Sequence, residues 1–553
     1  MRVARPRRSP LPFLFRRSPE QGPEQTSPVR IIPLPARPPK PPELSLRQRL
    51  GFYAMVAGLF LAIVDIQLVT SSMKEIQAGL SAGLDEIGWV QSAYLIGEIV
   101  MIALAGPLTR AFGTRLLFTL SALGFALMSL ACGMASSLGE MAAARALQGF
   151  LGGAMVPTVF AANILIFPPA RQVRMTVLIG LVATLAPTLG PVIGGMVTQA
   201  LSWRWLFFIT VIPGLAVAWA VWVLVDIDRG DKAVLRKFDG FGALLLAVSL
   251  GSLQYVLHEG PRLQWLDDGT VVALLLVVAV AGALLLWRCL RRRAAILDLG
   301  VFRDRNFTIG CLFNVALGAG LFVGDYLMTQ YLGRVRGLNS QQIGETLLVT
   351  GAFEVLGAPV SLWLATRVDP RIVLGLGYAL FGFGLYLATG MTADWDFDEL
   401  FWSQAVRGFS LMLCFVPVTG LALGTLPARQ APDASGLFNL TRNVGGAVGL
   451  AWVATALQDR TALHYDRLAE SLDAYDPLVQ DRLAAMAAGL SDVIGHAPDL
   501  AALRIMSGVV RRQAEVMAFD DLLLMLAGIV ALAVLLLPFV RRRQGAVPAI
   551  SGH

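Results

Sequence analysis

The sequence predicts an all-α integral membrane protein of fourteen transmembrane helices, arranged as two six-helix bundles with an inserted two-helix hairpin. Three observations predict this fold class: an apolar composition, a series of membrane-length apolar runs and a weak internal repeat. Of the 553 residues 56% are apolar and 15% are charged, and the mean hydropathy is +0.65. Because these values lie far from those of globular domains, the chain is expected to lie in a bilayer.

Each apolar run is close to the roughly 20 residues that a helix needs to cross the hydrocarbon core of a bilayer. The first bundle is predicted from runs at about 52–72, 88–108, 115–134, 138–161, 173–198 and 204–225. The inserted hairpin is predicted from runs at about 240–258 and 270–289. The second bundle is predicted from runs at about 307–330, 342–365, 371–390, 400–424, 434–457 and 520–540.

The basic residues predict the orientation, because Lys and Arg in short loops are retained on the cytoplasmic side. Alternate loops are basic, at Arg110 and Arg115, Arg171 and Arg174, Arg229 and Lys232, Arg367 and Arg371, and Arg541 to Arg543. Both termini are therefore predicted to be cytoplasmic, which makes the number of spans even. The same arginines account for the net charge of +7, with anionic lipid headgroups as counter-charge, so no nucleic acid partner is expected.

Three segments differ in composition from the predicted spans. Residues 1–50 are rich in Pro and Arg and are predicted to form a disordered or extended cytoplasmic tail. That tail binds lipid headgroups or a proline-recognising partner, or it is an extension without function. Residues 542–553 form a short second tail. Residues 458–519 are a large hydrophilic outer loop with amphipathic helical stretches.

A weak internal repeat relates the two bundles. The residues that recur in corresponding runs are Asp65, Glu98 and Arg145 in the first bundle, and Asp325, Glu354 and Arg407 in the second. The repeat divides the chain into a first bundle at 51–226 and a second at 306–541, related by an axis along the membrane normal. Residues 227–305 then form the inserted hairpin with its flanking loops.

Polar residues inside the runs are the candidate functional residues, because a charge at mid-bilayer costs at least about 2.5 kcal/mol and normally faces a cavity or a partner. Helical spacing places them on single faces of four spans. These faces carry Gln91, Tyr94 and Glu98; Arg145 and Gln148; Asn314 and Asp325; and Asn439, Arg442 and Asn443. The four faces are predicted to line a shared central cavity.

Each charged candidate has two interpretations. Asp65 and Glu98 either load and release a proton or are permanently paired structural acids. Arg145 and Arg407 stay charged, so they can only pair with acids or anions, and tuning of a nearby carboxylate is favoured for Arg145. Arg442 is interpreted, with Asn443, as helix-packing contact rather than as a substrate ligand.

A glycine and proline pattern in the fifth span carries a family resemblance. It consists of Pro187, Gly190, Pro191, Gly194 and Gly195, and Trp203, Arg204 and Trp205 follow it at the start of the sixth span. Together with Arg145, Gln148 and Gly149 in the fourth span and Asp65 in the first, these residues resemble the major facilitator superfamily. Within it the chain is similar to the fourteen-helix drug:proton antiporters of the EmrB/QacA type, over residues 50–541.

The resemblance implies the major facilitator fold and proton-coupled efflux of amphipathic, often cationic compounds across the inner membrane by alternating access. It implies proton coupling through Asp65, Glu98 and Arg145. The remaining polar residues of the spans, with Asp325, Glu354 and Arg407, become candidates for the substrate cavity. Members in double-membraned bacteria have a large loop that corresponds to 458–519 and work with a periplasmic adaptor and an outer-membrane channel, so these are the expected partners.

One departure from the family pattern lies between the second and third spans. The family's loop normally reads Gly-x-Leu-Ala-Asp-Arg-x-Gly, but here Arg110 occupies the acidic position and Ala111 the basic one. A charge contact of the usual acid is therefore not expected, although the loop can still form a tight turn.

Other functions are disfavoured or left open by the residues. An exporter of a specific metabolite or siderophore fits the same pattern, a nutrient symporter fits it less well, and sodium could replace the proton. An enzyme is not expected, because four histidines and four cysteines form no catalytic or metal-binding motif. No cofactor is expected either.

Overall fold

The computed structural model describes residues 45–83, 86–231, 233–234, 238–291, 296–473, 475–490 and 498–541. Within these ranges the regular secondary structure is entirely helical. Most of the N-terminal tail predicted at 1–50 and all of the tail predicted at 542–553 lie outside the described residues.

The described residues form seventeen α-helices. The first eight are α1 Leu46–Ser71, α2 Met73–Leu80, α3 Trp89–Phe112, α4 Thr114–Met134, α5 Leu138–Gly152, α6 Met155–Ile166, α7 Pro169–Ala200 and α8 Trp205–Leu224. The hairpin consists of α9 Gly240–Glu259 and α10 Gly269–Arg291. The last seven are α11 Arg305–Gln330, α12 Ser340–Arg367, α13 Pro370–Tyr386, α14 Phe397–Leu423, α15 Ala431–Glu470, α16 Pro477–Leu490 and α17 Pro498–Leu532.

Local sequence accounts for several helix ends. Ser45 and Gln48 form a reciprocal capping box at the start of α1, and Asn339 and Gln342 form one at the start of α12. Between α3 and α4 the chain turns on Gly113, whose φ of +80° favours glycine. The tight turn expected after the second span is therefore present.

Each predicted span corresponds to a helix of the structure, but not every one of these helices has the length and hydropathy of a membrane span. Twelve helical segments of the described chain are long and apolar enough to cross a membrane, and α5 with α6 counts as one of them. The predicted eleventh span corresponds to α13, which has only 17 residues, and the predicted thirteenth to the more polar α15. A total of fourteen crossings stays a prediction.

The outer segment predicted at 458–519 is not a simple loop. Helix α15 continues to Glu470, α16 follows, and α17 begins at Pro498, so much of the segment's described part is helical. Its amphipathic pattern sustains a helix where hydropathy alone predicts that the span has ended. The first helix also begins at Leu46, a few residues before the predicted start of the first bundle.

Helix packing defines two long contacts between the halves of the chain. Within the first half α3 packs on α5, α4 on α8 and α1 on α7; within the second, α11 packs on α15 and α12 and α13 pack on α14. Between the halves, α7 packs on α12, while α3 packs on α15. Helices α9 and α10 pack on each other, and α9 also contacts α3. The two contacts between halves frame the site described next.

Candidate functional site

A buried network joins three of the predicted residues in the first half. Arg145 on α5 donates from Nη1 to Asp65 Oδ2 at 2.5 Å and to Gln148 Oε1 at 2.8 Å. Gln148 Nε2 donates to the other Asp65 oxygen at 3.2 Å. All three side chains are fully buried. Asp65 is therefore paired with a cation that cannot lose its own proton.

The surroundings of Arg145 fix its position. Its Nε donates to the Val90 carbonyl at 3.1 Å, and its guanidinium lies 4.2 Å from the centre of the Tyr94 ring. Tyr94 donates its own hydroxyl to the Ala62 carbonyl at 3.2 Å. Arg145 thus links α1, α3 and α5, and the aromatic ring strengthens its interactions in a dry environment.

The second half contains a similar acid and arginine pair. Arg407 on α14 donates from Nη2 to Asp325 Oδ1 on α11 at 2.8 Å, and the same nitrogen lies 3.3 Å from Thr350 Oγ1. Thr350 donates to Gln404 Oε1 at 2.7 Å. The Asp325 side chain retains 20% exposure, whereas that of Asp65 retains 1%. The second pair is therefore closer to water than the first.

Glu98 and Arg442 bring opposite charges to the contact between α3 and α15. Both side chains are buried, and of the described charges Arg442 attracts Glu98 most strongly. Arg442 is oriented by a bond from Nη2 to Asn439 Oδ1 at 3.0 Å and by the Phe415 ring at 5.6 Å. Arg442 therefore has an electrostatic role between the halves in addition to the packing role that the sequence favoured.

The proline and glycine segment of α7 packs against both halves. A Cβ at Gly190 would collide with Gln67 on α1, and one at Gly194 would collide with Ser71. The segment also borders a small cavity that reaches the Asp325 pair. The cavity is lined by Gln67, Pro187, Thr188, Pro191, Asp325, Thr329, Leu347 and Arg407. Gly195 is buried within the same segment.

Arg110, the departure from the family pattern, is paired with an acid of the other half. Its Nη1 lies 2.9 Å from Asp433 Oδ2 in the first turn of α15. Gly106, one turn earlier on α3, is so close that an added Cβ would lie 2.7 Å from the Asp433 Cα. An ion pair of the two halves thus lies at the end of the bundle that the sequence predicts to be cytoplasmic.

Three predicted cavity residues stand apart from these networks. Asn314 Nδ2 donates to the Phe438 carbonyl at 2.6 Å, a packing contact between α11 and α15. Gln91 and Asn443 are half-buried and take no part in the hydrogen bonds of the acid and arginine pairs within the described chain. Glu354, by contrast, is fully buried on α12 near the Asp325 pair.

Sequence reasoning missed Gln404, Thr350 and Asp433. Gln404 lies one turn from Arg407, much as Gln148 lies one turn from Arg145, so the repeat could have indicated it. Asp433 lies at a helix start, where acids are common for reasons of capping and dipole alone. Only the packing of α3 on α15 identifies its partner.

Comparison with known proteins identifies the family. The model of the Major Facilitator Superfamily matches residues 55–450, which is most of the chain. The chain belongs to the major facilitator superfamily. It is therefore a multi-pass inner-membrane transporter rather than an enzyme.

Three of the curated relatives are named as export or resistance proteins. The colistin resistance protein EmrB of Acinetobacter baumannii is 38% identical over 491 residues, which cover 89% of this chain and 96% of that protein. The multidrug export protein EmrB of Escherichia coli K12 is 30% identical, covering 77% and 83%. The fatty acid resistance protein FarB of Neisseria gonorrhoeae is 29% identical, covering 79% and 86%. Within the superfamily the chain is thus a drug efflux transporter of the EmrB type.

Solved structures share the fold at low sequence identity. The human organic anion transporter MFSD10 aligns with a TM-score of 0.56 at 12% identity, covering 90% of this chain and all of that one. The proton:xylose symporter XylE aligns with a TM-score of 0.54 at 13% identity, covering 86% and 94%. These similarities concern the fold alone.

Proposed function

We propose that this protein exports amphipathic compounds from the cytoplasm in exchange for protons. The observation that carries the proposal is the buried network of Asp65, Arg145 and Gln148. A proton on Asp65 neutralises the carboxylate and breaks its ion pair with Arg145, so one protonation event changes the contacts between α1 and α5. The freed guanidinium then has Glu98 as a further acid within its electrostatic reach.

The energy source is the proton gradient. Each proton that enters the cell releases about 2.3 kcal/mol per 100 mV of membrane potential, plus the contribution of any pH difference. Asp65 takes up a proton from the outer side while substrate leaves, and releases it inward as the next substrate binds. Glu98 acts as a second carrier or as a ligand for a cationic group of the substrate.

Alternating access uses the two contacts between the halves. Closure of α7 on α12 separates the central residues from one side, and closure of α3 on α15 separates them from the other. The close approach of Gly106 to Asp433 and the Arg110 ion pair support tight closure at the second contact. Both termini are proposed to be cytoplasmic, which places this ion pair on the cytoplasmic side.

The substrate is proposed to be an amphipathic drug or a related toxic compound. Acids and arginines lie together at the centre of the protein. A charged group of a substrate, of either sign, therefore has an opposite charge there with which it can interact. Relatives named for colistin resistance and for fatty acid resistance span that range. A dedicated exporter of a metabolite or siderophore is the second candidate, because the Asp65 network would serve it equally well.

The deciding experiment is a susceptibility and efflux panel in cells that lack their own exporters. Wild type and Asp65→Asn are compared for colistin, a long-chain fatty acid and ethidium, with and without a protonophore. Wild type is expected to protect against at least one compound, and both the protonophore and Asp65→Asn are expected to abolish protection. Protection that survives both treatments would exclude proton-coupled export.

We further propose that the outer helices dock a periplasmic adaptor, which connects the transporter to an outer-membrane channel. At a rise of about 1.5 Å per residue the 40 residues of α15 extend about 60 Å, roughly twice the hydrocarbon thickness of a bilayer. Tyr465 Oη and Ser507 Oγ, 3.0 Å apart, join the projecting parts of α15 and α17. The projection therefore has a defined structure.

Apolar side chains on this projection support a docking role. Tyr475 is 86% exposed, Leu478 78% and Leu500 63%. Such residues favour a protein partner in an otherwise polar region. Leu478→Asp with Leu500→Asp is expected to reduce adaptor co-purification at least tenfold, while Leu266→Asp, at a 72% exposed outer turn, leaves it unchanged. Unchanged co-purification of the double variant would contradict docking at this surface.

A further inference from the structure

Helix α12 presents a regular row of residues to α7 across the contact between the halves. Gly344, Leu347, Gly351, Glu354 and Ala358 follow each other at alternating intervals of three and four, so they occupy one face of the helix. An added Cβ at Gly344 would lie 2.5 Å from Val192, and one at Gly351 would lie 2.7 Å from Leu185. Ala358 belongs to a buried cluster with Val177. The row therefore forms a tightly packed antiparallel seam with α7.

Glu354 is the ionisable residue of this row. Its side chain is fully buried, and neither carboxyl oxygen has a hydrogen-bond partner of good geometry in the described part of the chain. The polar group that faces it from α7 is the hydroxyl of Thr184. That hydroxyl donates its hydrogen to the Gly180 carbonyl at 3.0 Å.

This geometry distinguishes the two protonation states of Glu354. A hydroxyl has one hydrogen to donate and two lone pairs that accept. The Thr184 hydroxyl is placed to donate to the Gly180 carbonyl at 3.0 Å or to the Met412 sulfur at 3.9 Å, and neither carboxyl oxygen of Glu354 has a donor in the described part of the chain. A carboxylate there would be a buried charge without a donor, whereas a protonated carboxyl carries no charge. The closed seam therefore favours the neutral acid, because an unpaired buried charge is costly.

The charged groups that act on Glu354 do not change this conclusion. They are Asp325 on α11 and Arg407 on α14. Arg407 already pairs with Asp325 at 2.8 Å, and Asp325 repels a second negative charge. Asp65 pairs with Arg145 and Asp325 with Arg407, whereas Glu354 has no ion pair within the described part of the chain.

We propose that Glu354 is a second proton-binding site, protonated while α7 and α12 are in contact and deprotonated when the seam opens to water. On opening, the carboxyl O–H bond breaks and the proton passes to water, which leaves a hydrated carboxylate. On closure the carboxylate takes a proton back from water before it is buried. The site rests on the proposed proton-coupled export and adds one proton to each transport cycle.

Infrared difference spectroscopy of the purified protein in liposomes tests the site without a substrate. At neutral pH wild type is expected to show the C=O band of a buried protonated carboxyl. Glu354→Gln removes this band, whereas Glu345→Gln, the same change on the exposed face of α12, retains it. Thr184→Val keeps the band but shifts its frequency, because the polar group beside the carboxyl is lost.

Loss of the band only in Glu354→Gln, with a shift in Thr184→Val, supports the proposal. A band that is unaffected by both changes overturns it. If Glu354→Gln fails to insert, the Thr184→Val spectrum alone decides, since an unshifted band excludes a protonated carboxyl beside Thr184.

The number of protons exchanged per substrate tests the role in transport. It is measured in proteoliposomes with a compound that wild type exports. A known concentration gradient of the compound is opposed by a pH gradient, and the pH gradient at which net transport stops gives the number of protons. Glu354→Gln is expected to exchange one proton fewer than wild type and Glu345→Gln the same number. An unchanged ratio in an active Glu354→Gln variant contradicts the carrier role. Loss of coupling in wild type would instead contradict the proposed function itself.

Discussion

At the scale of single residues, the chemistry depends on how each central acid is held. Asp65 is fixed by two donors from α5, whereas Asp325 has one arginine and partial exposure. Breaking a buried pair by removing one partner typically costs about 3–5 kcal/mol. A carrier that protonates Asp65 in every cycle must tolerate this loss, so Arg145 needs its additional bonds to Gln148 and Val90.

Arg145→Lys tests those additional bonds. Lysine keeps the positive charge but cannot donate to Asp65, Gln148 and Val90 together, because its single ammonium group lacks the planar fork. Each bond to a charged group contributes about 1.5–3 kcal/mol, so we expect efflux to fall at least tenfold. The check is efflux from cells at matched protein levels. Arg407→Lys, whose arginine makes fewer bonds, is the control with a smaller expected loss, and equal efflux from Arg145→Lys and wild type would contradict this role.

The sequence predicted these residues better than their partners. A charge inside an apolar run is visible from composition, and helical spacing showed that Gln148 shares a face with Arg145. Thr350 and Gln404 are ordinary polar residues of membrane helices, and only the packing of α12 on α14 makes them a pair. Helical spacing also placed Asn439 on the same face as Arg442, but it did not predict the bond between them, because i to i+3 pairs are frequent in helices without any function.

At the scale of helices, glycines allow two close contacts of α7, one with α1 in its own half and one with α12 in the other half. On α7 the glycines allow approach to α1, and on α12 they allow approach to α7. Hydropathy predicted the spans because it measures preference for the bilayer. It did not predict the ends of α15 and α17, because both helices continue outside the bilayer on amphipathic packing.

Gly190→Leu and Gly194→Leu test the contact between α7 and α1. An added side chain must displace Gln67 or Ser71, and overpacking of this kind typically costs about 1–3 kcal/mol. We expect efflux to fall at least tenfold in both variants without a change in the infrared band of Glu354. Gly528→Leu on α17, where an added Cβ meets nothing within 4 Å, should transport normally. Normal efflux in the two α7 variants would show that close approach is not required.

A charge exchange tests the contact between α3 and α15. Arg110→Asp and Asp433→Arg each place two like charges together and should reduce efflux. The double variant restores an opposite pair and should recover most of it. Neighbouring pairs typically show interaction energies of about 0.5–3 kcal/mol, so recovery of threefold or more over the worse single variant is expected. Losses that simply multiply in the double variant would mean that the ion pair has no role in transport.

At the scale of the whole molecule, the acid and arginine pairs occupy equivalent places in the two halves, and Glu354 lies on the contact between them. The repeat that suggested these positions is weak in the sequence because only the charged and glycine positions are retained. The electrostatic attraction between Glu98 and Arg442 crosses from one half to the other and has no counterpart in the repeat. Chain order alone could not indicate it.

The topology prediction is tested by labelling single cysteines in a variant without the four native ones. Tyr475→Cys lies on the outer projection and should react with a membrane-impermeant maleimide in intact cells. Arg429→Cys, at an exposed turn before α15, should react only after the membrane is permeabilised. The opposite pattern would invert the orientation and place the Arg110 ion pair on the outer side.

The most direct test of proton-coupled export uses proteoliposomes that contain wild type or Asp65→Asn. The substrate is a compound that wild type exports from cells, and protein with its cytoplasmic face outward is studied. With an acidic lumen wild type should accumulate the compound against its concentration gradient, and a protonophore or Asp65→Asn should abolish accumulation while Asp65→Asn remains monodisperse in detergent. Accumulation driven by an alkaline lumen, or undiminished accumulation by Asp65→Asn, would contradict proton antiport through Asp65.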